Sequence, residues 1–134
     1  MSKVLKIIVG LAALFALASL IVITYWKREL QIDLAGYMPK ELQYCGETIG
    51  SGNKIYAELQ QWLKENPNNW KNTLATYVPV DYFSSPTMLV NVRTSQVVVN
   101  YKNKSGKWFQ VVRSKERGVL SFPACFEANN ANQH

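Results

Sequence analysis

From Ile7 to Trp26 the chain reads IIVGLAALFALASLIVITYW, twenty residues without a charge. At about 1.5 Å per residue a helix of that length reaches about 30 Å, the thickness of a bilayer's hydrocarbon layer. Tyr25 and Trp26 fall where amphipathic aromatics prefer the headgroup boundary, and Lys27 and Arg28 follow as a charged stop. The pattern is that of a single-pass anchor. A cleaved signal peptide is the competing reading, because Lys3 and Lys6 form a basic n-region and Ala16-Leu17-Ala18 fits a small-x-small cleavage site. Cleavage there leaves SLIVITYW as a greasy new N-terminus, which favours the anchor.

Orientation is nearly balanced by the positive-inside rule, since Lys3 and Lys6 precede the helix and Lys27 and Arg28 follow it. The cysteines break the tie. Cys45 and Cys125 are the only two, and they lack both metal spacing and a CxxC redox pattern. Such a pair reads most simply as a structural disulfide, which places the domain in an oxidising compartment such as a bacterial periplasm. The localisation expected is therefore a bacterial inner membrane with the domain facing the periplasm, and two unrelated buried thiols in a cytoplasmic domain are the alternative.

Behind the anchor 108 residues remain, enough for one domain and not for two. The expected organisation is a cytoplasmic tip and transmembrane anchor over 1–26, a juxtamembrane connector over 27–52, an extracytoplasmic α+β domain over 53–126 and a disordered tail over 127–134. The connector contains Gly36 and Pro39 and shows no sustained period. GETIGSGN reads as a loop ending in Asn53, a good helix N-cap. In KIYAELQQWLKE, Ile55, Leu59, Trp62 and Leu63 recur at helical spacing, so an amphipathic helix is predicted. Asn66-Pro67 stops it and starts a second short helix, PNNWKNTLATYV, with Trp70, Leu74 and Tyr77 on one face. A strand through Thr73 to Val80 is the alternative.

From Thr87 the period changes to two. TMLVNVR places Met88, Val90 and Val92 on one face, QVVVNYK places Val97, Val99 and Tyr101 on one face, and KWFQVVR sets Trp108, Gln110 and Val112 against Phe109, Val111 and Arg113; the joints are short, so three strands in antiparallel hairpins are predicted. GVLSF offers a fourth strand. Helices first and strands afterwards favour an α+β class, with one or two helices packed on a three- to four-stranded antiparallel meander. A Cys45–Cys125 bridge would staple the two ends of that domain.

The chemistry in the sequence is sparse. His134 is the only histidine, at the end of the polar tail, which speaks against Ser-His, Cys-His and His-metal sites. No metal or cofactor is expected. Glu41, Glu47, Glu58, Glu65, Asp81 and Glu116 show no local pairing, and neither GxGxxG nor GxxxxGK[ST] occurs. The expectation is a protein that is not an enzyme.

Two features read as binding surfaces. Lys102, Lys104 and Lys107 crowd one turn, and Arg113, Lys115 and Arg117 lie near the next, at the opposite end of a meander. Contact with anionic lipid, cell-wall polymer or an acidic partner is one reading; a solvated edge that keeps strands from pairing with strangers is the other. The chain from Lys27 carries 13 basic and 9 acidic residues, a mild +4. With the export signal this makes nucleic acid an unsuitable partner. In VPVDYFSSPTM, Tyr82 and Phe83 stand in a polar loop, either as anchors for a partner's pocket or as a lid on the core.

An apolar helix followed by an antiparallel sheet with a late disulfide resembles type IV pilins and pseudopilins in outline. A short basic leader ending in Gly before Phe and a Glu inside the apolar helix are both missing, so no family is assigned. The order of elements also loosely resembles cystatin-like domains. The functional expectation is a membrane-anchored extracytoplasmic module that binds another envelope protein, in the manner of an immunity or inhibitor protein acting against an envelope-targeted protein. The alternative is a structural or accessory subunit of a secretion, pilus or division assembly, whose helix packs on others through Gly10, Ala13, Ala16 and Ser19.

Overall fold

The computed structural model describes residues 2–123 and Cys125. The tail expected over 127–134 lies outside them.

The apolar segment is one helix, α1 (Lys3–Lys27). Ser2 caps it by accepting the Leu5 N–H at 3.2 Å. None of its residues is buried by the rest of the chain. Its two aliphatic hydroxyls turn inward, Ser19 donating to the Phe15 carbonyl at 2.9 Å and Thr24 to the Leu20 carbonyl at 2.7 Å. That arrangement leaves neither of these two hydroxyls unsatisfied on an apolar surface. The helix is long and apolar enough to cross a membrane, and it is compatible with an anchor or a signal sequence.

The remainder is mixed α and β, with more strands than the sequence pattern announced. Seven strands form one antiparallel sheet: β1 (Glu41–Tyr44), β2 (Glu47–Gly50), β3 (Lys71–Asn72), β4 (Asp81–Ser84), β5 (Met88–Val92), β6 (Gln96–Lys102) and β7 (Trp108–Ser114). Their order is β2-β1-β4-β5-β6-β7-β3. The β5-β6-β7 meander agrees with the period-two reading, and its register aligns Val90, Val99 and Val111 in one row of the core face. The extra strands come from segments that looked irregular. ELQY and ETIG, expected as connector and loop, pair as a hairpin that extends the sheet on one side.

One helix, α2 (Lys54–Glu65), covers the core face. Asn53 accepts the N–H groups of Ile55 and Tyr56, and Tyr56, Leu59, Trp62 and Leu63 are buried. The expected second helix over PNNWKNTLATYV is absent. Asn69 takes a left-handed φ of 64° and the Trp70 N–H is used by Leu30 instead of by a helical carbonyl. Trp70 alone of the supposed apolar stripe is buried; Leu74 is 83% exposed. The residues after Trp70 form the two-residue strand β3 and then leave the sheet, so the alternative strand to Val80 is absent too.

GVLSF is also no strand. Short β3 occupies the free edge of β7, where a fourth meander strand would pair, and Gly118 and Leu120 take φ of 81° and 52°. Leu120 and Phe122 are buried all the same, closing the end of the core where Phe122 meets Tyr44 and Phe83 edge-on. The Cys45–Cys125 disulfide is formed at this end, on the β1–β2 turn, with Cα atoms 5.0 Å apart and a sequence separation of 80. By the chain-entropy estimate such a loop contributes about 4 kcal/mol.

Candidate functional site

Between β3 and β4 the chain crosses the face of the sheet that α2 leaves open. Strand register explains what it meets there. Tyr82, Asn91, Val98, Val112 and Lys71 lie in one row across β4, β5, β6, β7 and β3, and Ser84, Leu89, Asn100 and Gln110 lie in the next. Two amides in these rows hold the crossing segment, Thr73–Val80, by its backbone. Gln110 donates to the carbonyls of Thr73 (3.2 Å) and Ala75 (2.9 Å). Asn91 accepts the Val80 N–H at 2.9 Å and donates to the Val78 carbonyl at 3.0 Å.

The segment is thus a strap fastened at both ends. It buries the middle of the first row: Asn91 is 6% exposed and Val98 2%, although both point away from the main core. Tyr77 braces its middle, its hydroxyl 3.1 Å from that of Thr73 and its ring under the Arg93 guanidinium. Since the polar atoms at the strap's ends face the sheet, its apolar side chains face solvent. Leu74 and Val78 are among the most exposed large hydrophobic residues outside α1, and Val80 and Tyr82 continue the patch. Scattered exposed aliphatics are ordinary; several on one fixed segment mark a contact surface.

The aromatic pair singled out from the sequence is split by strand alternation. Tyr82 faces the strap side and is partly exposed, whereas Phe83 is fully buried, its ring 4.4 Å from that of Tyr44 in a stacked pair. Phe83 is a core residue. Burial also pushes the Tyr44 hydroxyl up to about 12, with the Asp81 carboxylate adding to the effect, and the phenol donates to the Pro123 carbonyl at 3.0 Å. Asp81 itself is raised from the usual carboxylate value by burial, against the Phe122 N–H and Lys115, which favour its charge.

The basic residues fall at two ends of the sheet. Lys102, Lys104 and Lys107 sit on the β6–β7 turn, where Lys102 lies 5.3 Å from the centre of the Trp108 ring. Arg113 lies five residues further along β7, about 17 Å away at the spacing of a strand. Its Nε donates to the Asn68 carbonyl at 2.7 Å and its guanidinium covers Trp62. It lines an open groove of about 590 Å³ together with Glu65, Asn66, Ser114, Lys115 and Glu116. Arg113 is therefore committed to holding the β7 edge on α2, while Lys104 and Lys107 are exposed, Lys102 is half-exposed, and the Lys107 ammonium lies 5.4 Å from the centre of the Phe109 ring.

Among the described residues no three His, Cys, Asp or Glu side chains converge as a metal site. No family model matches the chain, and no curated protein or solved structure is significantly similar to it.

The strap is the part of this surface that sequence reasoning missed. Its signal was the mismatch inside LATYVPV itself: apolar residues too frequent for a loop, interrupted by Pro79 and without a sustained period.

Proposed function

We propose that the protein is a membrane-anchored, extracytoplasmic binding module that engages another envelope protein through its strap. The observation that carries this reading is the outward apolar row of Leu74, Val78 and Val80 beside Tyr82, on a segment fixed to the sheet by Asn91 and Gln110. A fixed apolar segment loses little conformational entropy when a partner covers it, which favours affinity. The disulfide supports an oxidising compartment, and α1 supports attachment to a membrane; together they favour the bacterial inner membrane with the domain in the periplasm. The role proposed is that of an immunity or inhibitor protein acting against an envelope-targeted protein.

The test is affinity capture from membranes with the full chain, in parallel with L74S/V78S, which changes only exposed side chains. A stoichiometric partner captured by the native chain and lost by the variant supports the reading; capture that is indifferent to the strap overturns it.

A subunit role in an envelope assembly is favoured by a different observation, that no residue of α1 is buried by the rest of the chain and that there is open space at Gly10. Exchanging α1 for an unrelated membrane helix separates the two: strap-dependent capture survives the exchange, and helix-dependent assembly does not.

A further inference from the structure

We propose that the β6–β7 turn docks on anionic phospholipid headgroups beside the membrane anchor, so that the domain lies against the bilayer by a second contact. The proposal rests on the reading of α1 as an anchor and adds an orientation to it.

The first support is the length of the tether. Only Arg28 and Glu29 separate the end of α1 at Lys27 from Leu30, which is already bridged to Trp70. Three residue steps span at most about 11 Å, so the domain cannot stand off from the surface into which α1 descends.

The second support is direction. The stretch from Leu30 to Ile32 runs antiparallel to Pro67–Trp70, since Ile32 bonds to the Pro67 carbonyl and Leu30 to Trp70. The chain therefore advances from Pro67 through β3 toward the end of α1. The β7 strand is antiparallel to β3, so it starts at the anchor end and leads away from it. That places the β6–β7 turn beside the helix terminus. Tyr25 and Trp26 of α1 indeed line one cavity of about 420 Å³ with Leu74, Lys107, Trp108 and Phe109. The β5–β6 turn, with Thr94, is at the far end.

The third support is chemistry. The turn KNKSGK presents three lysines and no acid, and among the described residues none of the three is ion-paired. Trp108 follows with 44% of its surface exposed. Lysines flanking an exposed tryptophan, level with a Tyr-Trp pair and with Lys27 and Arg28, match the headgroup layer, where indoles settle and cations meet phosphate. The turn is held in shape: Asn103 Oδ1 accepts the N–H groups of Ser105 and Lys107, and Gly106 takes the φ of 81° the turn needs.

The test uses the full chain in nanodiscs, with a spin label on S105C or, as a control, on T94C, while Cys45 and Cys125 remain bonded to each other. Membrane depth is read from relaxation by a lipid-soluble and a water-soluble paramagnet, in discs of zwitterionic lipid and in discs containing about a third anionic phospholipid. The expected result is a label at residue 105 at headgroup depth in anionic discs and a label at residue 94 in water in both. At roughly five-fold per lysine, K102Q/K104Q/K107Q should reduce the docked-to-undocked ratio by about a hundred-fold, as should molar salt. A label at 105 that stays in water in anionic discs overturns the proposal, and so does one that docks equally with the three lysines neutralised. Failure of the chain to enter the discs at all would count against the anchor itself and would be seen before any label is read.

Discussion

Leu30 and Trp70 exchange both of their backbone hydrogen bonds, 2.6 Å from the Leu30 N–H to the Trp70 carbonyl and 3.2 Å in return. This isolated bridge joins the exit of the apolar helix to the middle of the chain. It also draws Trp70 into the core, where its indole N–H donates to the Asn66 carbonyl at 2.8 Å and its ring meets Trp62 edge-on at 6.2 Å. Replacing Trp70 with alanine should cost about 3–5 kcal/mol, the usual range for deleting a buried aromatic. Denaturant titration of the full chain in detergent, followed by circular dichroism, checks this; a loss below 1 kcal/mol would mean the bridge and the indole are not holding the core.

Asn91 is the one buried polar side chain among the described residues, and both of its bonds go to the strap. Asn91→Ala should destabilise by about 1–3 kcal/mol, because the Val80 N–H and Val78 carbonyl lose their partner. The effect should be local. Hydrogen exchange at Val80 is expected to accelerate at least ten-fold while Val99, in the centre of the sheet, keeps its protection; equal acceleration at both would show that the strap is not a separable unit.

Tyr44 makes stability depend on alkaline pH. Its hydroxyl titrates near 12 in the folded protein against about 10 in an unfolded chain, so the folded state holds the proton more tightly. The corresponding stability is fully present below pH 10 and is lost as the pH climbs from 10 to 12, at most about 2 kcal/mol for this one group once screening by nearby solvent is allowed for. Tyr44→Phe should flatten the fall in unfolding midpoint over that interval, compared at equal disulfide content.

Removing the disulfide with C45S/C125S should lower stability by about 2–5 kcal/mol, through the greater freedom of the unfolded chain. The urea midpoint should drop, with the native fold retained at low temperature. A midpoint equal to that of the native chain would remove the argument that the bridge staples the two ends of the domain.

The sequence was most readable where a face is half-buried and strands are long. Met88 to Ser114 alternates because Val90, Val99 and Val111 must enter the core while Asn100 and Gln110 point away from it. Four-residue β1 and β2 are too short to show a period, and Gly46, Gly50 and Gly52 in and around β2 suggested a loop. Tyr82 and Phe83 form part of a strand of the same length, so their opposite fates could not be told apart. The strap was invisible for a different reason. Its backbone is satisfied by Gln110, 35 and 37 residues away, and by Asn91, 11 and 13 residues away, and no local pattern encodes such partners. Trp70 misled in the same way, since its place is set by Leu30 and not by its neighbours.

The two-residue link through Arg28 and Glu29 has a consequence for any partner. On the proposed reading, the domain sweeps only a thin shell over the lipid, so what it captures must itself reside in that shell. Encounters are then governed by numbers per unit area and by lateral diffusion, and a modest affinity measured in free solution can correspond to near-complete occupancy in the cell.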